Sequence, residues 1–186
     1  MLQEIKQGRL KLLKLNRRFH GGLLPVPKEK LFLRAYLKKN QINPNLMKEI
    51  VNTIKKDHPL LLFVPRIEQI PVYVKALQRE KQLENIKIAG VHASDPDRIQ
   101  KVQDFRDRKF QILVTTTILE RGVTFKNVWV IIVAADDPIY TIASLVQIAG
   151  RVGRAKEDSD GLVLYCYHKY NKNIRGAIKQ IREMNQ

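Results

Sequence analysis

The sequence predicts an α/β fold in three layers, with a mainly parallel sheet flanked by helices. Short apolar runs of strand length alternate with segments whose apolar residues recur at helical spacing. This alternation favours parallel strands, because parallel neighbours need a crossover connection, which is usually a helix. The chain has 186 residues, of which 44% are hydrophobic, and this is enough for one domain with a substantial core.

Five strands are predicted in order from residue 59. Their ranges are 59–64, 87–92, 111–116, 128–134 and 162–167. Apolar residues at helical spacing predict helices over 67–77, 96–105, 142–149 and 174–181. Asp95 and Pro96 suit the N-cap and the first position of the second helix, and Gly150 suits the end of the third. Residues 59–186 therefore form the predicted α/β domain.

Residues 1–58 differ from the rest of the chain and are interpreted as a basic N-terminal extension packed on the core, or as a linker from a preceding domain. They hold 14 basic and four acidic side chains, so their net charge of 14 − 4 = +10 is most of the +16 of the chain. Within them, residues 10–15 suit a strand, and 31–37 and 46–54 suit two basic helices. Such charge favours a polyanionic partner, with a solubilising face as the alternative.

Composition excludes several classes of protein. Cys166 is the only cysteine, so neither a disulfide framework nor a cysteine-rich zinc module is expected, and no metal site is predicted. No apolar run approaches ~18 residues, so no membrane span is predicted. The N-terminus has no apolar signal core, which favours a soluble protein of a reducing compartment.

The usual phosphate-binding loops do not occur in the sequence. Neither GxGxxG nor GxxxxGKS/T is present. Asp136 and Asp137 follow an apolar strand, but without such a loop they are interpreted as loop or cap residues rather than magnesium ligands. Arg151 and Arg154 offer another way to meet a phosphate, because a guanidinium bonds phosphate oxygens bidentately. If the helix continued to Arg154, the two arginines would share one face of it. The alternative to phosphate binding is that both are solvated residues at the helix C-terminus, where the helix dipole favours a positive charge.

A run of three threonines ends the third predicted strand. Thr115 and Thr116 lie at the carboxyl end of that strand, the usual ligand edge of a parallel sheet, and Arg121-Gly122 follows in a turn. Hydroxyls and backbone N–H groups there suit nucleic-acid phosphates. The high strand propensity of threonine is the alternative explanation.

These segments resemble motifs V and VI of superfamily 2 helicases. Thr116, Arg121 and Gly122 match motif V, and QIAGRVGR (147–154) matches the QxxGRxGR form of motif VI. PLLLFVPR (59–66) resembles motif IV, and VHASDPDR (91–98) resembles the motif IVa region. The chain from about residue 59 to 186 is therefore similar to the second RecA-like lobe of such a helicase.

A closer resemblance is to the ComFA family of late-competence helicase-like ATPases. It rests on RRFHGGLLPVPK (17–28), HASDPDR (92–98), TTTILERGVTF (115–125) and SLVQIAGRVGR (144–154). It implies the C-terminal lobe of an ATP-driven single-stranded DNA translocase that acts in DNA uptake. PriA-type and RNA helicase lobes remain alternatives, as does a basic docking module without enzymatic activity.

The resemblance also implies site residues and partners. Arg154 would be the arginine finger, Arg151 its partner, and Gln147 would orient the nucleotide. Gly122 and Thr124 would line the same cleft, although many RNA helicases have Asp in place of Thr124. The expected contacts to the DNA backbone are Thr115, Thr116, Arg66, His92 and Ser94.

Further expectations concern what lies outside this chain. ATP and Mg²⁺ would be held mainly by a first RecA-like lobe, which carries the Walker A and Walker B motifs, and this lobe alone would hold neither. The expected partners are single-stranded DNA, the first lobe of the same protein and other competence proteins. The expected location is the cytoplasm, at the inner face of the membrane through the DNA-uptake partners.

Overall fold

The structure is a computed structural model that describes residues 23–117, 125, 127–152 and 161–186. Its strands are β1 (Lys28–Leu31), β2 (Leu37–Lys38), β3 (Gln41–Ile42), β4 (Leu60–Phe63), β5 (Ile88–Val91), β6 (Ile112–Thr115), β7 (Trp129–Ile132) and β8 (Val163–Tyr167). Its α-helices are α1 (Pro44–Lys55), α2 (Gln69–Gln78), α3 (Arg98–Arg106), α4 (Ile142–Ala149) and α5 (Lys172–Met184). A short 3₁₀ helix covers Lys81–Leu83.

A parallel sheet forms the middle layer, with the strand order β1-β8-β7-β4-β6-β5. The central strand is β4, in which Leu60 is in register with Ile112 of β6 and Trp129 of β7. From β4 the chain crosses to β5 at one edge, whereas from β7 it continues to β8 on the other side. This reversal leaves a crevice outside the carboxyl ends of the central strands, where ligands of such sheets bind.

Two apolar clusters cover the two faces of the sheet. In β4 the side chains alternate, so that Leu61 and Phe63 belong to one cluster and Leu60 and Leu62 to the other. The first cluster includes buried residues of α3, α4 and α5, and the second includes those of α1 and α2. The predicted α/β fold with a parallel sheet between helices is therefore confirmed.

The described part of the N-terminal segment packs on this core. Strand β1 pairs with β8 as a sixth, outer strand, and Leu46 and Ile50 of α1 are fully buried in the second cluster. Residues 28–31 and 44–55 thus contribute a strand and a helix to the described sheet and core. The domain boundary at residue 58 stays a prediction.

Two local predictions were wrong. Residues 31–37 form no helix, because the Phe32 N–H donates to Tyr167 O (2.8 Å) and prolongs the pairing of β1 with β8. The next residues form the hairpin of β2 and β3, whose two-residue turn places Lys39 and Asn40 at positive φ. Helix α3 begins at Arg98 rather than beside Pro96.

We expect Gly176 to control how closely α5 approaches α4. A Cβ at this position would lie 2.5 Å from Ile142 Cδ1 and 3.1 Å from its Cγ1. Gly176→Val should therefore lower the free energy of unfolding by about 1–3 kcal/mol through overpacking, measured by urea denaturation. Ile142→Ala removes the atoms in conflict, so the double variant should lose less than the sum of the two single variants. Additive losses would contradict this explanation.

Candidate functional site

An open cleft lies at the crevice where the direction of winding reverses. It has a volume of about 600 Å³. Three segments line it, the β4–α2 loop, the end of β6 and the β7–α4 loop. The lining residues are Pro65, Arg66, Ile67, Glu68, Thr116, Thr117, Pro138 and Ile139. Two of the predicted nucleic-acid contacts, Arg66 and Thr116, are thereby brought to one cleft.

Thr116 is a buried polar residue in the lining of this cleft. The residue is 6% exposed, and its Oγ1 is buried with no hydrogen-bond partner among the described residues. Its neighbour Thr115 is 1% exposed and donates its hydroxyl to Thr116 O at 3.4 Å, so it is a less accessible contact. A buried hydroxyl without a partner costs roughly 1–3 kcal/mol, and a ligand or water in the cleft would supply one.

Arg66 is held at the mouth of the cleft. Its Nη1 donates to Asp137 Oδ1 and to Pro65 O, each at 3.1 Å. Asp137 Oδ1 also accepts the N–H of Ile139 at 2.9 Å, so one carboxylate fixes both the arginine and the β7–α4 loop. A half-exposed ion pair adds only about 0–1 kcal/mol of stability. Its main effect is therefore to hold the Arg66 guanidinium in one position.

The second carboxylate of the acidic pair also holds a loop. Asp136 Oδ2 accepts the backbone N–H groups of His168 (3.3 Å) and Lys169 (3.0 Å). The Asn171 side chain donates to Asp136 O at 3.1 Å. These contacts fit the interpretation of both aspartates as loop residues. Within the described ranges, no group of three or more His, Cys, Asp or Glu side chains could hold a metal ion.

His92 and Ser94 follow the neighbouring strand β5. Val91 is in register with Thr115, so His92 follows β5 where Thr116 follows β6. His92 Nδ1 is buried and has no hydrogen-bond partner among the described residues, whereas Ser94 is exposed. Both residues lie outside the lining of the cleft, beside the Thr116 edge of it.

Asp95 fixes the turn that carries His92 and Ser94. Its Oδ1 accepts the Asp97 N–H at 3.0 Å, and its Oδ2 accepts from Lys101 Nζ at 2.7 Å. Burial acts to raise the pKa of Asp95, but these hydrogen bonds and the Lys101 charge outweigh it and hold that pKa below its usual value. The carboxylate thus closes a turn before α3, which explains why the helix begins two residues later than expected.

Helix α4 and the turn after it contain Gln147 and Arg151, the two described residues among those predicted to act in ATP hydrolysis. Thr141 caps its start by accepting the Ser144 N–H at 3.1 Å, and Gly150 caps its end, as predicted. Gln147 is exposed, whereas Arg151 is only 5% exposed. Because α4 ends at Ala149, Arg151 lies in the following turn, where its N–H donates to Ile148 O (3.0 Å). The helix therefore ends before Arg151, and the predicted shared face with Arg154 falls outside the described residues.

Several predicted residues fall outside the described ranges. They are Arg121, Gly122, Thr124, Gly153 and Arg154, and their proposed roles stay predictions. Conversely, the structure adds residues in or beside the cleft lining that the motifs did not indicate. Asp137 was interpreted only as a loop residue, and Pro138 and Ile139 carry no motif, because only the fold brings their loop beside Arg66.

Comparison with known proteins gives the family. The family described as helicase conserved C-terminal domain matches residues 41–156. The chain is 41% identical over 187 residues to competence protein ComFA of Streptococcus pneumoniae and 39% identical over 184 residues to competence protein ComFA of Bacillus subtilis. It is covered at 99% and 96% in these two matches but spans only 43% and 38% of those relatives. The resemblance to ComFA is thereby confirmed.

Solved structures agree on the fold. A Saccharomyces cerevisiae Dbp5 variant bound to RNA and ADP BeF3 matches with a TM-score of 0.58 and 16% identity, covering 98% of this chain and 45% of that one. At this identity the match concerns the fold alone, which is that of a RecA-like helicase lobe. In the described ranges, no helix has both the length and the apolar character needed to span a membrane. The chain belongs to the family of helicase conserved C-terminal domains.

Proposed function

We propose that this chain is the C-terminal motor lobe of an ATP-dependent single-stranded DNA translocase that acts in DNA uptake during competence. The family membership supports a motor lobe, and the two relatives named competence proteins support the biological role. The structural observation that carries the proposal is the placement of Thr116, with its unpartnered buried hydroxyl, beside Arg66 at the ligand edge of the sheet.

In this proposal the DNA backbone runs along the carboxyl ends of β5 and β6. Thr116, His92 and Ser94 follow these strands and would contact phosphates and sugars, with Thr115 behind them and Arg66 at the cleft mouth. Such contacts position the strand without reading its sequence. The proposal therefore assigns binding of any single strand to this edge.

The described residues also bear on which arginine acts in hydrolysis. An arginine that stabilises a phosphoryl group held by another lobe must be exposed on its own lobe. Arg151 is 5% exposed, which supports a positioning role for it and leaves Arg154 as the proposed finger. Gln147 is exposed on α4 and would reach the interface directly, with Gly122 and Thr124 lining the same cleft.

The intact protein would work through movements of two lobes. ATP with Mg²⁺, held mainly by the first RecA-like lobe, supplies the phosphoryl transfer that drives the cycle. Closure would bring Arg154 towards the transferred γ-phosphoryl, and reopening would let Thr116 and its neighbours release and regrip the strand. The proposed partners are thus single-stranded DNA, the first lobe and other competence proteins at the cytoplasmic face of the membrane.

The chain should bind single-stranded DNA with a strong dependence on salt. The logarithm of the binding constant should fall with the logarithm of salt concentration by about 0.7 per phosphate neutralised. Arg66→Gln should weaken binding and reduce this slope by about 0.7, as measured by fluorescence anisotropy of a labelled oligonucleotide. Lys179→Gln is a matched control, because Lys179 is a 76% exposed side chain on α5. Salt-insensitive binding, or equal effects of both variants, would contradict the proposed interface.

A further inference from the structure

The cleft that contains Arg66 is mainly apolar. Ile67 is 40% exposed and Ile139 is 46% exposed. They come from different loops, yet they line one concavity together with Pro65 and Pro138. Single exposed apolar residues are common on protein surfaces, whereas several that line one concavity suit a ligand with an apolar face.

The described lining of the cleft has too little positive charge to bind several phosphates. Arg66 is the only cation among its described lining residues, and it is already bonded to Asp137. Glu68 is the acidic residue among the described lining, whereas Asp137 lies outside the lining and pairs with Arg66. This balance differs from that of the whole chain, whose net charge is +16. The described lining therefore suits a largely uncharged group that carries no more than one phosphate with it.

Thr116 supplies a polar anchor for such a group. Thr116 lines the cleft and its hydroxyl is buried without a partner in the described residues, and a hydroxyl can both donate and accept a hydrogen bond. A nucleobase offers what these walls require, since it has an apolar face and a polar edge. The cleft volume of about 600 Å³ lies in the range of small-ligand pockets.

We infer that this cleft receives the base of one nucleotide of the bound strand, with Ile67 and Ile139 against the base and Thr116 at its polar edge. The inference rests on the proposed function, because it takes single-stranded DNA as the ligand. It adds that binding at this edge includes an apolar contact to a base and is not confined to the phosphodiester backbone. Such a contact tolerates any base, because every base has a π-face.

The test compares a normal single strand with an abasic strand of the same number of phosphates. Ile139→Ala in the whole chain should weaken binding to oligothymidine by about threefold to tenfold, because apolar surface is lost from the contact. Its salt slope should stay that of the unchanged protein, since no charge is removed. On the abasic strand, Ile139→Ala and the unchanged protein should bind equally. Ile67→Ala should behave in the same way.

Ile99→Ala is the matched control, because Ile99 is 87% exposed on α3 and lies outside the cleft lining. It should leave binding to both strands unchanged. Equal weakening of both strands by Ile139→Ala, or no weakening of either, would overturn the base-binding inference. If Arg66→Gln still reduced the salt slope in that case, the proposed interface would stand without the base contact. If no variant changed DNA binding, the interface itself would be wrong, and a protein partner would be the occupant to seek.

Discussion

Replacing Arg154 by alanine in the intact protein should lower the rate of DNA-stimulated ATP hydrolysis by about a thousandfold or more. In the proposed role, this variant loses the guanidinium that would neutralise charge developing on the transferred phosphoryl group. The affinity for ATP should stay close to that of the unchanged protein, because most contacts to ATP would come from the first lobe. Steady-state turnover and equilibrium nucleotide binding, measured on the same preparation, separate the two effects.

Two variants sharpen this test of the arginine finger. Arg154→Lys keeps the charge but not the planar fork, so it should restore little of the lost rate. Arg175→Ala removes an exposed arginine from α5 and should leave turnover unchanged. Normal turnover in Arg154→Ala would remove Arg154 from the role of finger and would redirect attention to Arg151.

Phe63→Ala should lower the free energy of unfolding by about 3–5 kcal/mol. Phe63 ends β4, which is hydrogen-bonded to β6 and β7, and its side chain is fully buried in the cluster beneath α4 and α5. Truncation would leave a cavity that neighbouring strands cannot collapse to fill. Chemical denaturation of the purified chain measures the change.

The size of this effect is a large fraction of a typical domain stability of about 5–15 kcal/mol. Ile99→Ala is the control for loss of an aliphatic side chain at the surface and should change stability by no more than about 0.5 kcal/mol. Phe63→Leu should lose less than Phe63→Ala, because it refills part of the volume. A loss below about 1 kcal/mol for Phe63→Ala would show that β4 is not the centre of the core.

Elements with a strong local signal were predicted well from the sequence. The run at 59–64 is apolar on every residue because β4 is covered on both faces, a property of buried parallel strands. Helix α5 was also predicted, since Ile174, Ile178 and Ile181 recur at helical spacing and all are buried. Such periodic patterns depend only on neighbours along the chain.

Features that are decided by specific contacts rather than by local propensity were missed. Residues 31–37 have an apolar pattern that fits a helix, but pairing of β1 with β8 more than 130 positions away decides their conformation. Asp95 fits an N-cap by sequence, yet its bond to Lys101 and to Asp97 closes a turn instead. Local propensity does not include these competing contacts.

The candidate site, too, was predicted only in part from the sequence. Motif resemblance indicated Arg66 and Thr116, and the structure places both in one cleft. It did not indicate the bond between Arg66 and Asp137, which are 71 positions apart, or the exposed Ile139 beside them. Charged and hydroxyl side chains can be recognised as candidate site residues from a sequence motif. A role for an exposed apolar residue can be inferred only when the fold shows which residues surround it.

The most direct test of the central claim is the rate of ATP hydrolysis by the intact protein as single-stranded DNA is added. A motor lobe that contacts DNA through Thr116 and acts on ATP through Arg154 predicts that the rate rises with DNA to a plateau. It also predicts a smaller rise when RNA of the same length replaces the DNA. A rate that does not respond to single-stranded DNA would contradict the translocase proposal, and a stronger response to RNA would favour an RNA helicase.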